Sequence, residues 1–355
     1  MPAQRKIRVL IAEDTLVGQH LLKGILADDP RFEVIGIAGN GKEAVDFVTK
    51  HLPDVVSMDI YMPEMDGIEA TRRIMRNSPV PIVIVSSFYD ANEVKMSFNI
   101  LEAGALTILP KPHGPMHPEF NQTARTYRNT LKMMSAVNVS RTSRRTDRSP
   151  EVARTPVAPA TVRTASAPKI IAIGASAGGP QAIEAILKGL PASLPVPVLI
   201  VQHIDAHFAE GYCDWLNSRS AMPVHIAING EIMLPGHVYL PPGDHHLGTE
   251  RENIITVTKN PPEKGLRPAV SYLFKNVNAV YGGNSVCILL SGMGTDGAAE
   301  LKTLRDAGAL TIAQDESSSL VHGMPGEAIR LGGAAEILSP VEIAHKIIEI
   351  VKPVK

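Results

Sequence analysis

Between Thr123 and Pro168 the chain reads "TARTYRNTLKMMSAVNVSRTSRRTDRSPEVARTPVAPATVRTASAP". It opens as a helical stretch and then becomes rich in Ser, Thr, Ala, Pro and Arg, with no apolar periodicity. Such a composition cannot bury enough surface to offset chain entropy, so a flexible, partly extended linker is expected. Arg141, Arg144, Arg145, Arg148, Arg154 and Arg163 could hold an acidic partner, but a solvated linker is the simpler meaning. A chain of 355 residues interrupted in this way must build two cores. The boundaries read from composition are 1–125, a linker over 126–167, and 168–355.

Composition narrows the classes. Apolar residues make up 44% and charged residues 20% of the chain, an ordinary soluble balance. The formal net charge of −1 gives no global field for nucleic acid or acidic membranes. The output half shows no recognition-helix pattern and no basic stripe, which speaks against DNA binding. Cys213 and Cys287 are too few for a disulfide framework or a Cys-rich zinc site. The N-terminal apolar run is too short for a signal peptide, and no later stretch could cross a bilayer, so a cytoplasmic protein without membrane insertion is expected.

Both flanks alternate strands and helices. In the first, "IRVLIA", "EVIGIA", "DVVSMD", "PIVIVSS" and "ALTILP" are short Val/Ile/Leu runs, as for strands buried on both faces. Helices are expected over Thr15–Ala27, Gly41–His51 and Gly67–Arg76. The second flank starts with "KIIAIGAS" and "VPVLIVQHI", passes through a strand-rich middle, and resumes at "SVCILLSGMG" and "ALTIAQD". The fold class is therefore α/β, two doubly wound parallel-sheet domains, with ligands collecting at the carboxyl ends of the strands.

Three acidic residues fall at such ends in the first domain: Glu13 and Asp14 after strand one, Asp59 after strand three. Carboxylates so gathered repel one another unless a cation sits among them, and hard oxygen ligands suit Mg²⁺. Ser86 and Ser87 follow strand four, and Lys111 follows strand five. A hydroxyl and an ammonium converging on one carboxylate are what a transferred phosphoryl group needs around it. Taken singly, each of these residues could be a plain loop residue; the conjunction "ED", "MDIYMPEMDG", "VSS" and "PKP" is specific. It resembles the receiver domain of two-component response regulators, a flavodoxin-like fold, over about residues 5–125. The resemblance implies Asp59 as phosphoacceptor, Mg²⁺ held by Glu13, Asp14, Asp59 and the backbone carbonyl of Tyr61, Ser86 as switch hydroxyl, and Lys111 as the phosphate-pairing cation. Ile108 stands where many receivers carry an aromatic switch residue.

In the second domain "IIAIGASAGGP" (170–180) poses a choice between a phosphate cradle and a nucleophile turn. A dinucleotide site wants Gly where Ser176 stands, and an acid where the next strand ends in Gln202-His203. "GASAG" fits G-x-S-x-G, in which small neighbours let the chain turn sharply and present the hydroxyl. His203 ends the neighbouring strand and could accept that proton, and Asp296, in the turn after "SVCILL", could orient the imidazole. His203 and His207 also have the i, i+4 spacing of metal ligands, without an "HExxH" or a third ligand. His245 and His246 could line the pocket or belong to a plain loop.

Together "GASAGGP", "VQHI", "PPGDHH", "LLSGMGTDGA" and "QDESSSLVHGMPGEAI" resemble the catalytic domain of the protein-glutamate methylesterases of bacterial chemotaxis, over about residues 168–353. The resemblance implies Ser176 as nucleophile, His203 as general base, Asp296 as its partner and the backbone N–H of Met293 as oxyanion donor. Ala177 and Leu320 depart from the Thr and Cys common in that family. Implied too are glutamine deamidation by the same acyl chemistry, no cofactor for the esterase step, methyl-accepting chemoreceptors as substrate, and a histidine kinase as phosphodonor. The unphosphorylated receiver is then expected to cover the catalytic cleft. Two other classes compete: a catalytically inactive response-regulator scaffold, and a serine hydrolase of free small esters.

Overall fold

The computed structural model describes residues 5–87, 98–137, 139 and 167–351, which fall into two compact units. Most of the segment expected to be a linker, including all six arginines named above, lies outside the described residues.

The first unit is a five-stranded sheet in the order β2-β1-β3-β4-β5. Its elements are β1 (Ile7–Ala12), α1 (Leu16–Ala27), β2 (Phe32–Ala38), α2 (Gly41–His51), β3 (Val55–Met58), α3 (Gly67–Asn77), β4 (Ile82–Ser86), α4 (Asn99–Glu102), β5 (Thr107–Pro110) and α5 (Phe120–Met134). Every strand pair is parallel. Polar side chains start the helices where the sequence puts them. Thr15 accepts from Gly18 N–H, Asn40 from Glu43 N–H and Asp66 from Glu69 N–H, each satisfying an amide that the helix cannot. The strand order reverses between β1 and β3, and this opens a crevice at their carboxyl ends.

Helix α5 continues to Met134, past the boundary at 125 set from composition. Ala124, Tyr127, Thr130, Leu131 and Met134 are buried along it at helical spacing, and Tyr127 OH donates to Ser57 Oγ of β3 at 3.0 Å.

The second unit has seven parallel strands in the order β14-β13-β12-β6-β7-β9-β8. They are β6 (Ile170–Ala175), β7 (Val198–Gln202), β8 (Val224–Ile226), β9 (Val238–Leu240), β12 (Ser285–Leu289), β13 (Leu310–Gln314) and β14 (Glu336–Leu338). The strand-rich middle also supplies an antiparallel hairpin, β10 (His246–Arg251) and β11 (Ile254–Thr258), outside that sheet. The helices are α6 (Gly179–Gly189), α7 (Ala209–Asn217), α8 (Val270–Tyr281), α9 (Ala298–Asp306), α10 (Met324–Arg330) and α11 (Pro340–Val351). Strands β6, β7, β12 and β13 are buried throughout, as helices on both faces require. Here the order reverses between β6 and β12. Among the described residues no helix is long and apolar enough to cross a membrane.

A fragment ending at residue 125 loses the buried side chains of Tyr127, Leu131 and Met134, each contributing about 1.5–3 kcal/mol. Against a domain stability of about 5–15 kcal/mol this is decisive. Urea unfolding is expected to show cooperative behaviour for residues 1–137 and a lost or strongly lowered midpoint for residues 1–125.

Candidate functional site

The receiver-like crevice gathers the residues named from sequence. Glu13 is fully buried, Asp59 nearly so and Asp14 exposed; their carboxylate oxygens lie within 4.8 Å of one another. Lys111 Nζ reaches Asp59 Oδ2 at 2.6 Å and Glu13 Oε2 at 2.7 Å. Burial pulls the Lys111 ammonium down, but hydrogen bonds and charge from the two carboxylates outweigh it and hold the group above the usual lysine value. Asp59 Oδ1 accepts from Ile60 N–H at 2.7 Å and from Ser86 Oγ. An all-oxygen set with one exposed member fits a hard divalent cation that keeps several waters. Tyr61 is half exposed just beyond Asp59, and Ile108 on β5 pairs with Ile84.

The second unit builds its site on three neighbouring strands. Ser176 follows β6, His203 follows β7, and Asp296 lies in the loop after β12; β6 pairs with both β7 and β12. All three therefore stand at one edge of the sheet. His203 Nε2 bonds Asp296 Oδ2 at 2.8 Å. Asp296, 3% exposed, also accepts from Val270 N–H at 2.7 Å and Ser271 N–H at 3.0 Å. These amides open α8, so the buried charge sits on a helix N-terminus. Burial pushes the Asp296 carboxyl up, but the His203 bond and charge and the two amides prevail and hold it at about 2. Gly174 makes this possible: a Cβ there would stand 2.2 Å from Val270 Cγ1, so only glycine lets the start of α8 press against β6.

At the nucleophile turn, Gly178 caps the start of α6 with φ 78°, a conformation glycine adopts without strain. Ser176 Oγ has no hydrogen-bond partner among the described residues, and Ser176 N–H is taken by Ser291 O at 3.0 Å. The N–H groups of Ala177 and Met293 donate to nothing among the described residues. Met293 is half exposed, and its neighbour Gly292 packs so closely on Ser176 that a Cβ would come within 2.8 Å of the Ser176 Cβ.

The other histidines go elsewhere. His207 pairs with Asp205 at 2.7 Å and is exposed, so it does not join His203. His245 Nδ1 bonds Gly243 O, and His246 is fully buried against Tyr272.

Sequence reasoning gave no role to three buried polar residues that hold this geometry. Gln202 Nε2 donates to Ser176 O at 2.8 Å and His203 O at 3.0 Å, tying the two turns together. Ser291 Oγ donates to Ala177 O at 2.7 Å, and Ser291 N–H to Gln314 Oε1 at 2.7 Å. The available signal was a polar residue closing an apolar strand in "LIVQ", "LLS" and "TIAQ".

Fold and site define a class: a response-regulator receiver joined to an α/β catalytic unit. A model of the CheB methylesterase family matches residues 171–347, and one of the response regulator receiver domain matches 9–117. The chain is 49% identical to protein-glutamate methylesterase/protein-glutamine glutaminase 4 of Geobacter metallireducens, over 95% of this chain and 96% of that one. It is 48% identical to the protein-glutamate methylesterase/protein-glutamine glutaminase of Nitrosospira multiformis, over 97% of each. The crystal structure of the Thermotoga maritima CheB methylesterase catalytic domain covers 52% of this chain and all of its own, at 34% identity and a TM-score of 0.51. The chain belongs to the family of chemotaxis protein-glutamate methylesterases/protein-glutamine glutaminases.

Asp296 makes stability depend on pH. Its carboxyl lies at about 2 in the folded unit against 3.8 unperturbed, so the folded state binds that proton more weakly. The stability this confers, about 2 kcal/mol, is present above the unfolded value and is lost as pH falls towards the folded one. Asp296→Asn is expected to lower the urea-unfolding free energy of the 167–355 unit by about that amount at pH 7. The difference from wild type should shrink by about half at about pH 3.

Proposed function

We propose that this chain is a phosphorylation-regulated methylesterase that hydrolyses glutamate γ-methyl esters on chemoreceptors, and deamidates receptor glutamines, with Ser176 as nucleophile. The observation that carries this reading is the His203–Asp296 hydrogen bond at the strand end next to Ser176. With Nε2–H donated to Asp296, the free lone pair of His203 is on Nδ1. As Ser176 Oγ forms its bond to the γ-carbonyl carbon, its proton passes to Nδ1. The imidazolium faces an ionised carboxylate already fixed by α8, so little reorganises as charge appears. Collapse of the tetrahedral intermediate returns the proton to the leaving methoxide, and methanol departs; from glutamine, ammonia departs. Water, deprotonated by the same nitrogen, then releases the carboxylate and restores Ser176.

The oxyanion needs two donors, and the N–H groups of Ala177 and Met293 are two near Ser176 that donate to nothing among the described residues. The residue after the nucleophile is a recurrent choice in G-x-S-x-G turns. Gln202, Ser291 and Gln314 act as positioning residues. No cofactor enters this step.

In the first unit, Asp59 is the phosphoacceptor. Mg²⁺, held by Glu13, Asp14, Asp59 and the Tyr61 carbonyl, would neutralise charge on the phosphoryl oxygens. Ser86 and Lys111 are both bonded to the Asp59 carboxylate that is to be esterified. When the negative charge moves outward onto a phosphoryl group, both donors must follow it. That differential contact is what lets phosphorylation shift a conformational equilibrium. The phosphodonor is a histidine kinase, and the setting is the cytoplasm, where receptor signalling regions and such kinases meet.

Methanol release from methylated receptor tests the reading. The full chain with a small-molecule phosphodonor is expected to release methanol, and Ser176→Ala to lose at least about 10⁴-fold. Release from simple esters but not from receptor would favour a small-ester hydrolase, and no release at all a scaffold. A 167–355 fragment is expected to outpace the unphosphorylated full chain, and Asp59→Asn to abolish the phosphodonor effect. Equal rates in all three would remove the regulatory part.

A further inference from the structure

The segment that joins β5 to α5, "KPHGPMHPEF" (111–120), carries two histidines and a glutamate in the spacing H-x₃-H-x-E. The receiver chemistry uses none of them. His113, His117 and Glu119 each place one ligating atom within 4.8 Å of the others. His113 Nε2 stands 3.5 Å from Glu119 Oε2, and the two imidazole rings stack with centroids 3.8 Å apart.

We propose that His113, His117 and Glu119 bind a divalent transition-metal ion of the zinc class, at a site separate from the Mg²⁺ crevice. A tetrahedral ion with nitrogen and oxygen ligands at about 2.0–2.1 Å holds neighbouring donors about 3.3 Å apart. The His113–Glu119 pair is already near that separation. The remaining closure is a rotation of side chains that stand exposed at the surface.

The backbone beneath them is pinned. His117 N–H donates to Gly114 O at 2.9 Å and Phe120 N–H to His117 O at 3.0 Å. Thr123 Oγ1, one turn into α5, accepts from His113 N–H at 3.3 Å and donates to Glu119 O at 3.1 Å. His117 Nδ1 accepts a long contact of 3.2 Å from Glu119 N–H. Its lone pair thus faces the residue whose carboxylate is the third ligand, and an ion would take it in place of that exposed contact.

Donor type separates the two sites. Two imidazoles and one carboxylate suit Zn²⁺ and its neighbours, with a fourth position open to water, whereas the all-oxygen set of Glu13, Asp14 and Asp59 suits Mg²⁺. A plain surface ion pair between His113 and Glu119 would be worth little and would not call for a second imidazole stacked on the first. The ligands begin two residues after Lys111, whose ammonium bridges Asp59 and Glu13. A bound ion would therefore staple the strand end that carries Lys111 to the start of α5, and would stabilise the receiver unit by mass action.

The test is calorimetric titration of the full-length chain, free of any histidine tag, with Zn²⁺ in saturating Mg²⁺. Wild type is expected to bind one Zn²⁺ whose affinity falls about tenfold or more in each of His113→Ala, His117→Ala and Glu119→Gln and stays unchanged in Asp14→Asn. Zn²⁺ should also raise the receiver's thermal midpoint in wild type and leave it unmoved in the double variant His113→Ala/His117→Ala. Three results would overturn the proposal: no Zn²⁺ uptake, uptake equal in wild type and the double variant, or uptake abolished by Asp14→Asn.

Discussion

The catalytic unit depends on one buried carboxylate. Asp296 is almost wholly removed from water, and an unpaired charge there would cost several kcal/mol. Three donors offset that cost: His203 Nε2 and the first two amides of α8. The same contacts underlie the proposed function. They fix the imidazole ring and, in the proposed mechanism, assign its proton to Nε2 and leave Nδ1 as the base. Helix α8 can serve because Gly174 lets its first residue lie against β6. A glycine in one strand, a helix start and a loop acid after another strand thus act as a single device.

The receiver unit solves a related problem in the opposite way. Its acids crowd together at a reversal of strand order, and the Lys111 ammonium meets the charge of two of them, with single amides from Ile60 and Thr15 in support. A rigid amide clamp suits a carboxylate that must never change state. An ammonium and a hydroxyl suit a carboxylate that, in the proposed function, is esterified and released. Both sites occupy the crevice where a parallel sheet reverses direction, because only there do neighbouring loops part to opposite faces and leave room.

Much of this could be read from the chain. Continuous runs of Val, Ile and Leu marked the five strands of the first unit, and with them its first three helices, to within a residue or two. The acids, Ser86 and Lys111 were visible because each directly follows such a strand. Ser176 and His203 were visible for the same reason, and Asp296 from the Gly-rich turn that follows its strand. A helical start to the 123–168 segment was legible, but not that it packs into the first unit, since its buried residues are interleaved with Arg, Asn and Lys that resemble linker composition. The bond from α8 to Asp296 spans 26 residues and depends on tertiary packing that no local pattern encodes. Gln202, Ser291 and Gln314 act on backbone atoms, and chemistry-bearing motifs do not announce such partners. The hairpin β10–β11 was foreseen only as strand content, because alternation alone does not say which sheet a strand joins.

The central claim is that Ser176 is activated through an imidazole held by Asp296. Covalent labelling by a fluorophosphonate, followed by peptide mass spectrometry, tests it most directly, since it reads nucleophilicity without a receptor. One label per chain, on Ser176, formed far more slowly in His203→Gln and Asp296→Asn, is the result the account predicts. Labelling at another residue, or at Ser176 at a rate indifferent to both substitutions, would contradict it.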